Sequence, residues 1–205
     1  LLSYSLHSQI ISQFTISEYE DTLEILSKRI INGESQEIRN NYNIGFMNEI
    51  KEVLKYKNSF NYPFSKLKSI SILKPDDNKF RLFSWILPLE NGNNKYYALL
   101  LFEGKETNKI VELKQILEPV NDLENTVFYH NNWHGALYYK IISNNKRNNQ
   151  FYTLLAWNGF NSFLRKTIDI LEINKDSIIF GKDVFIRGNK KTKRVIIDYN
   201  KNSSL

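Results

Sequence analysis

The stretch Phe60-Asn61-Tyr62-Pro63-Phe64 separates two halves of the sequence whose apolar residues recur with different periods. Before it, apolar residues lie three and four positions apart. After it, they alternate with polar residues in short runs. A period near 3.6 is typical of an amphipathic helix, and a period of two is typical of a strand with one buried face. Because Pro63 cannot continue a helix, the sequence predicts an α+β chain with its helices first.

Two amphipathic helices are predicted before this stretch, over residues 15–32 and 35–57. The first begins with two overlapping capping boxes, in which a hydroxyl side chain is followed three residues later by a glutamate. Asn32-Gly33 ends it with residues that tolerate positive φ. The apolar stripes are Ile16, Tyr19, Leu23, Leu26 and Ile30 in the first helix, and Ile38, Tyr42, Phe46, Ile50, Val53 and Leu54 in the second. Because the connection is short, the two should form an antiparallel hairpin.

Eight or nine short strands separated by tight turns are predicted from about residue 69 onward. The predicted strands are 80–87, 95–102, 110–113, 135–142, 150–157, 165–173, 177–180, 183–186 and 193–199. Their regular spacing favours an antiparallel β-meander that is barrel- or sandwich-like. Strands and helices do not alternate, which disfavours a nucleotide-binding α/β fold. We therefore predict a helical hairpin over 15–57 packed as one unit with a β domain over 60–199, and a tail over 200–205.

Composition indicates a folded protein of an extracytoplasmic compartment. Hydrophobic residues make up 41% and charged residues 24%, proportions that rule out a disordered chain. No apolar run reaches the roughly 18–20 residues that span a bilayer. Residues 1–14 contain no acidic residue, lysine or arginine, and an apolar remnant is followed by the small residue Ser8 before Gln9, as at the end of a signal peptide. The alternatives are a disordered N-terminus and an ordinary helix or strand start; we favour a signal remnant, hence the periplasm or cell surface.

Positive charge is concentrated at the C-terminal end of the chain. The net charge is +6, and residues 181–205 contain seven lysines and arginines against two aspartates. One interpretation is a phosphate-binding patch for nucleic acid. The other is a solvated turn, Gly188-Asn189-Lys190-Lys191, whose lysines protect a sheet edge. We favour the turn, since no nucleic-acid-binding motif accompanies the charges.

Motifs for catalysis and metal binding are sparse. The chain has no cysteine and three histidines. His130 and His134 have the spacing of a zinc pair on a helix, but the Asn and Gly residues around them favour a turn. Asp169, Glu172 and Asp198 are candidates for a carboxylate pair, although Asp169 and Asp198 fall in strand patterns that predict exposure to solvent. We therefore predict no catalytic residue, no metal ion and no cofactor.

Aromatic side chains at strand ends are the more suggestive feature. Trp133 and Tyr138 lie at the start of the predicted strand 135–142, and Trp157 ends the strand that should pair with it as a hairpin. Antiparallel pairing would bring Trp133 near Trp157, with His134 and Asn158 beside them. These five residues are the candidate ligand-binding site, since aromatic rings and polar neighbours could stack a ligand and hydrogen bond to it. The alternative is that the aromatic rings fill the core.

Several stretches resemble a family of uncharacterised exported proteins of Bacteroidetes. They are Tyr62-Pro63-Phe64, Pro75-Asp76, Phe80-Arg81-Leu82-Phe83-Ser84-Trp85, Trp133-His134-Gly135-Ala136-Leu137-Tyr138-Tyr139-Lys140-Ile141-Ile142, Tyr152-Thr153-Leu154-Leu155-Ala156-Trp157-Asn158-Gly159, Phe180-Gly181 and Arg194-Val195-Ile196-Ile197-Asp198-Tyr199. The resemblance covers about residues 60–199. It implies export and a β-rich fold, and it implies no activity and no catalytic residue.

Three function classes follow from these observations. The first is a non-catalytic module that binds an envelope protein, a peptide or a glycan. The second is a hydrolase of envelope or imported polymers that uses carboxylates, which leave no local motif in a sequence. The third is nucleic-acid binding through the basic C-terminal stretch. The absence of compact catalytic motifs favours the first class.

Overall fold

The computed structural model describes residues 2–146, 149–160, 163–175 and 177–200. The chain begins with α1 (Leu2–Asn32), α2 (Gln36–Lys55) and a 3₁₀ turn (Lys57–Phe60). The strands follow as β1 (Ser71–Leu73), β2 (Arg81–Pro88), β3 (Asn94–Phe102), β4 (Lys109–Leu113), β5 (Phe128–Tyr129), β6 (Leu137–Lys146), β7 (Asn149–Gly159), β8 (Phe163–Ile173), β9 (Ile178–Phe180), β10 (Phe185–Arg187), β11 (Lys190–Thr192) and β12 (Val195–Asn200). The predicted α+β class, with two helices before a series of antiparallel strands, is confirmed.

The chain divides into two compact units. The first comprises residues up to 70 together with 101–110, and the second comprises residues 71–100 and those after 110. That the helical hairpin and the β region pack as one unit therefore stays a prediction. No helix among the described residues is long and apolar enough to cross a membrane.

The two helices of the first unit pack against each other and are joined by three residues. Ser35 caps α2 by accepting a hydrogen bond from the backbone N–H of Ile38 at 3.2 Å, which satisfies one of the unpaired donors of the first turn. The buried residues of α2 are Asn43, Phe46, Ile50, Val53 and Leu54. Ile38 was predicted to share this face, but it is 39% exposed, because it lies roughly a third of a turn away from the face's centre.

The N-terminal helix starts earlier than the capping boxes predict, at Leu2 instead of residue 15. From its described side chains, Ile16, Leu23 and Ile30 are fully buried, which confirms the main part of the predicted stripe. The interpretation of residues 1–14 as a signal-peptide remnant stays a prediction.

A six-stranded antiparallel sheet dominates the second unit. Its order is β5-β9-β8-β7-β6, and β12 also pairs with β8. The central strand β8 pairs with β7 along one edge, and its other edge is shared between β12 over residues 163–168 and β9 over residues 171–173. Strands β6 and β7 form the predicted hairpin, with Leu137 opposite Trp157. Of its three neighbours, β7 and β9 are adjacent to β8 in sequence, and β12 comes from further along the chain.

A second sheet, with the order β1-β2-β3-β4, contributes strands that lie beside β6. Ser71 of β1 donates its hydroxyl proton to the carbonyl of Tyr138, and the backbone N–H of Tyr138 donates to Ser84 Oγ of β2 at 3.1 Å. These bonds hold the start of β6 against the second sheet. The segment that leads into β6, residues 130–136, is fixed by this arrangement and contains His134 and Gly135.

Candidate functional site

A buried charged cluster lies where β8 faces the segment that precedes β6. His134 Nε2 lies 3.0 Å from Asp169 Oδ2, and Arg194 Nε lies 2.9 Å from the same oxygen. The side chains of Asp169 and Arg194 have no exposed surface, and that of His134 is 3% exposed. The other carboxylate oxygen of Asp169 accepts a hydrogen bond from the backbone N–H of Ile170 at 2.8 Å. One aspartate therefore holds both an imidazole and a guanidinium in place.

Arg194 connects this cluster to the segment before β5. Its Nη1 donates to the backbone carbonyls of Leu123 and Thr126, the latter at 3.2 Å. Its guanidinium carbon lies 5.0 Å from the centre of the Phe128 ring, a distance at which a cation is attracted to an aromatic face. Nε faces Asp169 as an ion pair and not as an aligned hydrogen bond, and Nη2 has no hydrogen-bond partner in the described structure. The guanidinium is thus held by its ion pair with Asp169 and by hydrogen bonds to two backbone carbonyls.

The protonation states of the cluster follow from burial and from charge. Burial lowers the pKa of His134, and Arg194 lowers it further, which outweighs the opposing effect of Asp169. Burial opposes ionisation of Asp169, but Arg194 and His134 outweigh it and hold the pKa of that carboxyl below its ordinary value. At neutral pH the pair is therefore a neutral imidazole, whose Nε2–H donates to a carboxylate.

Asp169 and Arg194 correct two predictions made from the sequence. Asp169 was predicted to face solvent, and Arg194 was counted in a solvated basic stretch, yet both are completely buried. In β8 Thr167, Asp169 and Leu171 are buried, and Ile170 on the opposite face is buried as well, so the strand is covered on both faces around Asp169. Asp198, the other aspartate that was predicted to be exposed, is 45% exposed and binds Arg165 through both carboxylate oxygens, at 2.6 and 2.8 Å.

A pocket of about 240 Å³ opens beside His134. It lies entirely within the second unit. Amide side chains, aromatic rings and one lysine line it together with aliphatic groups, and no carboxylate does. The lining residues are Leu89, Asn93, Asn94, Lys95, Tyr96, Gln115, Ile116, Leu117, His134, Gly135, Asn158 and Phe160. The arrangement is that of a small binding pocket, with an apolar lining and a few polar groups that can fix a ligand's orientation.

Gly135 forms one wall of this pocket and needs to be glycine. Its φ is +81°, a conformation that residues with a Cβ rarely adopt. A Cβ at this position would also lie 2.5 Å from the side-chain amide of Gln115. On its other side, the carbonyl of Gly135 accepts a hydrogen bond from Asn158 Nδ2. Gln115 and Asn158 thus meet the same glycine from two directions.

Tyr96 joins a second part of the pocket to the end of β7. Its hydroxyl accepts a hydrogen bond from the backbone N–H of Gly159 at 2.6 Å, and Asn94 Nδ2 donates to the carbonyl of Gly159 at 3.1 Å. The backbone N–H of Tyr96 donates to Gln115 Oε1 at 2.7 Å. Burial raises the pKa of Tyr96 to about 12, so its hydroxyl is protonated at neutral pH. These bonds fix the pocket wall before any ligand binds.

The five predicted site residues are divided between the pocket and the core. His134 and Asn158 line the pocket. Trp133 and Tyr138 are completely buried, and Trp133 Nε1–H donates to the Tyr138 hydroxyl at 2.8 Å. Trp157 is partly exposed and does not line the pocket. The shared aromatic surface expected from strand pairing is therefore absent, because Trp133 and Tyr138 point into the core.

Most of the remaining pocket residues were not identified from the sequence. Asn93 and Asn94 lie in the loop between the predicted strands 80–87 and 95–102. Neither they nor Gln115 belong to a sequence pattern that indicates a binding site. Tyr96 falls at a strand position where an aromatic ring is ordinary core filling. The sequence has many amide side chains in turns beside strands, but it does not show which of these turns lie close together in the folded protein.

The basic C-terminal stretch is largely neutralised within the protein. Lys182 pairs with Glu172, and Lys193 Nζ lies 2.8 Å from Asp183 Oδ1. Arg187 Nη1 lies 3.3 Å from Glu124 Oε1, and Arg194 is buried against Asp169 as described above. The exposed lysines of the predicted turn, Lys190 and Lys191, lie on β11. The arrangement gives little support to a phosphate-binding patch.

Within the described residues, no group of three or more histidine, cysteine, aspartate or glutamate side chains is placed to hold a metal ion. His134 is engaged with Asp169, and the two histidines of the proposed zinc pair do not form such a group with a carboxylate. Comparison with models of protein families, with curated proteins and with solved structures gives no match for the chain. The interpretation of the site therefore depends on its geometry.

Proposed function

We propose that the second unit is a non-catalytic binding module that holds a small neutral glycan unit in the pocket beside His134. The observation that carries this proposal is the composition of the pocket. It combines side-chain amides with the rings of Tyr96 and Phe160, and it has no carboxylate in its lining. Amides bind hydroxyl groups through hydrogen bonds, and aromatic rings pack against the C–H faces of sugars. A volume of about 240 Å³ suits a single sugar better than a drug-sized ligand.

The carboxylates that a glycoside hydrolase would need are engaged elsewhere. Asp169 is buried and ion-paired with Arg194, Glu172 pairs with Lys182, and Asp198 pairs with Arg165. Hydrolysis of a glycosidic bond normally uses two acids on either side of the bond. The site therefore favours binding over the alternative of a carboxylate hydrolase.

A titration monitored by ¹⁵N–¹H NMR tests the proposal. We expect glucose, galactose, mannose or N-acetylglucosamine to shift the resonances of pocket residues such as Tyr96, Gln115 and Asn158, with a Kd in the millimolar range, or about −4 kcal/mol. Phe160→Ala should weaken this binding, because it removes one aromatic wall. Tyr139→Ala is the matched control, since Tyr139 is a 48% exposed aromatic residue outside the pocket.

Two results would contradict the proposal. The first is that none of the four sugars shifts pocket resonances at concentrations of tens of millimolar. The second is that shifts occur equally in the wild type and in Phe160→Ala, or lie mainly outside the pocket.

We also propose that the protein acts outside the cytoplasm, which is where free glycans of the envelope are found. The support is the absence of acidic residues, lysine and arginine from residues 1–14 and the resemblance described above. Fractionation of the native host, with the protein detected by antibody, tests it. Recovery in the cytoplasmic fraction would contradict it.

A further inference from the structure

We infer that the pocket recognises the acetamido group of an N-acetylated sugar, a specificity that rests on the proposed function. Two side chains that line the pocket each keep one polar atom for a ligand: Nε2 of Gln115, a donor, and Oδ1 of Asn158, an acceptor. Neither atom has a hydrogen-bond partner among the described residues. A secondary amide offers the complementary pair, a carbonyl that accepts and an N–H that donates.

The identities of these two atoms are fixed by the backbone. Gln115 accepts the N–H of Tyr96 through Oε1 at 2.7 Å, so its NH₂ group is the free end. Asn158 donates to the carbonyl of Gly135 through Nδ2, so its oxygen is the free end. An amide flip at either residue would break these bonds, because it would place donor against donor or acceptor against acceptor. The pocket therefore has one defined donor and one defined acceptor.

Both atoms belong to side chains that line the pocket, and Asn158 is nearly buried, with 5% of its surface exposed. They approach Gly135 from two sides: the Gln115 amide lies beside its Cα, and Asn158 donates to its carbonyl. A polar atom left unpaired in a nearly buried position is costly, and a ligand amide would satisfy both atoms at once.

The rest of the lining agrees with a neutral acetamido group. Leu89, Ile116 and Leu117 supply aliphatic surface that suits a methyl group. His134 contributes no charge, since Asp169 accepts its Nε2–H and Arg194 neutralises that carboxylate. Lys95 is the one charged side chain in the lining, and its Nζ lies 5.2 Å from the centre of the Tyr97 ring.

The test compares four probes under the same NMR titration: N-acetylglucosamine, glucosamine, glucose and N-acetylglycine N-methylamide. We expect N-acetylglucosamine to bind at least about tenfold more tightly than glucose and glucosamine, because only it satisfies both free atoms. We expect the blocked peptide, which has the amide without the sugar ring, to bind more weakly than N-acetylglucosamine. Saturation transfer should be strongest at the acetyl methyl group.

A single variant separates recognition from structure. Gln115→Glu keeps an oxygen for the N–H of Tyr96 and replaces the free donor by an acceptor. We expect it to reduce the preference for N-acetylglucosamine over glucose to within about threefold. Gln36→Glu is the matched control, since it makes the same change on the exposed side of α2 and should leave the preference intact. Thermal unfolding of both variants shows that they are folded.

The outcomes distinguish the two proposals. Equal affinity for N-acetylglucosamine and glucose overturns acetamido recognition and leaves sugar binding standing. If the blocked peptide binds as tightly as N-acetylglucosamine or more tightly, the assignment of the pocket to a sugar is wrong and the pocket binds peptide amides. An unchanged preference in folded Gln115→Glu also overturns the inference. No binding by any probe overturns the proposed function itself.

Discussion

Arg194 and Asp169 form an ion pair in which neither side chain has any exposed surface, with 2.9 Å between Nε and Oδ2. Arg194 immediately precedes β12 and Asp169 lies in β8, so the pair links two residues that are 25 positions apart in sequence. The same carboxylate oxygen holds His134 at the edge of the pocket. Removing two charges from water is costly, and their attraction offsets the cost only while both are present.

The losses of stability caused by removing each partner of this pair should not add when both partners are removed. We expect Arg194→Met to lower the free energy of unfolding by about 3–5 kcal/mol, because Asp169 would keep its charge in a buried site. The double variant Asp169→Leu, Arg194→Met should lose clearly less than the sum of the single variants. Urea denaturation measures each value. Arg187→Met is the control, because Arg187 is 80% exposed and its ion pair should contribute about 0–1 kcal/mol. Additive losses in the double variant would contradict the prediction.

Stability should decrease as the pH falls below the ordinary pKa of histidine. Burial lowers the pKa of His134 in the folded state, so below about 6.5 the unfolded chain binds a proton that the folded protein does not. Each step to lower pH then favours unfolding. Asp169, whose pKa is also lowered when folded, adds a second decrease below about 4. Urea denaturation between about pH 3 and pH 8 measures both decreases.

His134→Gln should flatten this dependence between pH 5 and 7, since glutamine can donate to Asp169 without titrating. His130→Gln, which removes a histidine outside the buried cluster, is the comparison variant. The same slope in wild type and in His134→Gln would show that His134 is not responsible.

Gly135→Ala should both destabilise the protein and abolish ligand binding. The backbone there has a φ of +81°, which costs a residue with a Cβ about 1–3 kcal/mol, and the new methyl group would collide with Gln115. Gly188→Ala separates the two effects, because Gly188 also has positive φ, +60°, and open space around it. We expect Gly135→Ala to lose at least about 1 kcal/mol more than Gly188→Ala by thermal unfolding. Equal losses would mean that Gln115 moves aside freely.

Tyr138→Phe should cost more than the same change at its neighbour. The Tyr138 hydroxyl accepts the Nε1–H of Trp133 in a fully buried position, so its removal leaves a buried indole donor unpaired at about 1–3 kcal/mol. Tyr139→Phe changes a residue that is 48% exposed and should be within about 0.5 kcal/mol of the wild type. Chemical denaturation gives the stabilities, and the indole N–H resonance of Trp133 should shift only in Tyr138→Phe. Equal stabilities of the two variants would contradict the prediction.

The secondary structure could be predicted from the sequence because its causes are local. Helix period, capping residues and turns such as Asn91-Gly92 act over a few positions, so the predicted helices and most of the strands lie close to the observed ones. The β6–β7 hairpin was predicted for the same reason, since a short polar loop joins two alternating strands. The short strands β1, β5 and β11 were missed, because runs of two or three residues contain no recognisable period.

The pocket and the buried cluster were decided only by the tertiary structure. Local alternation suggested that Asp169 faces water, since the branched residues Ile168 and Ile170 flank it. A charged side chain can be buried when a distant partner neutralises it, and here the partner is Arg194. Likewise, Gln115 and Asn158 become a donor and an acceptor at one site only because both fold against Gly135. The local sequence determines which segments form strands. Long-range contacts between charged side chains and between amides and the backbone determine which strand faces are buried and which side chains line the pocket.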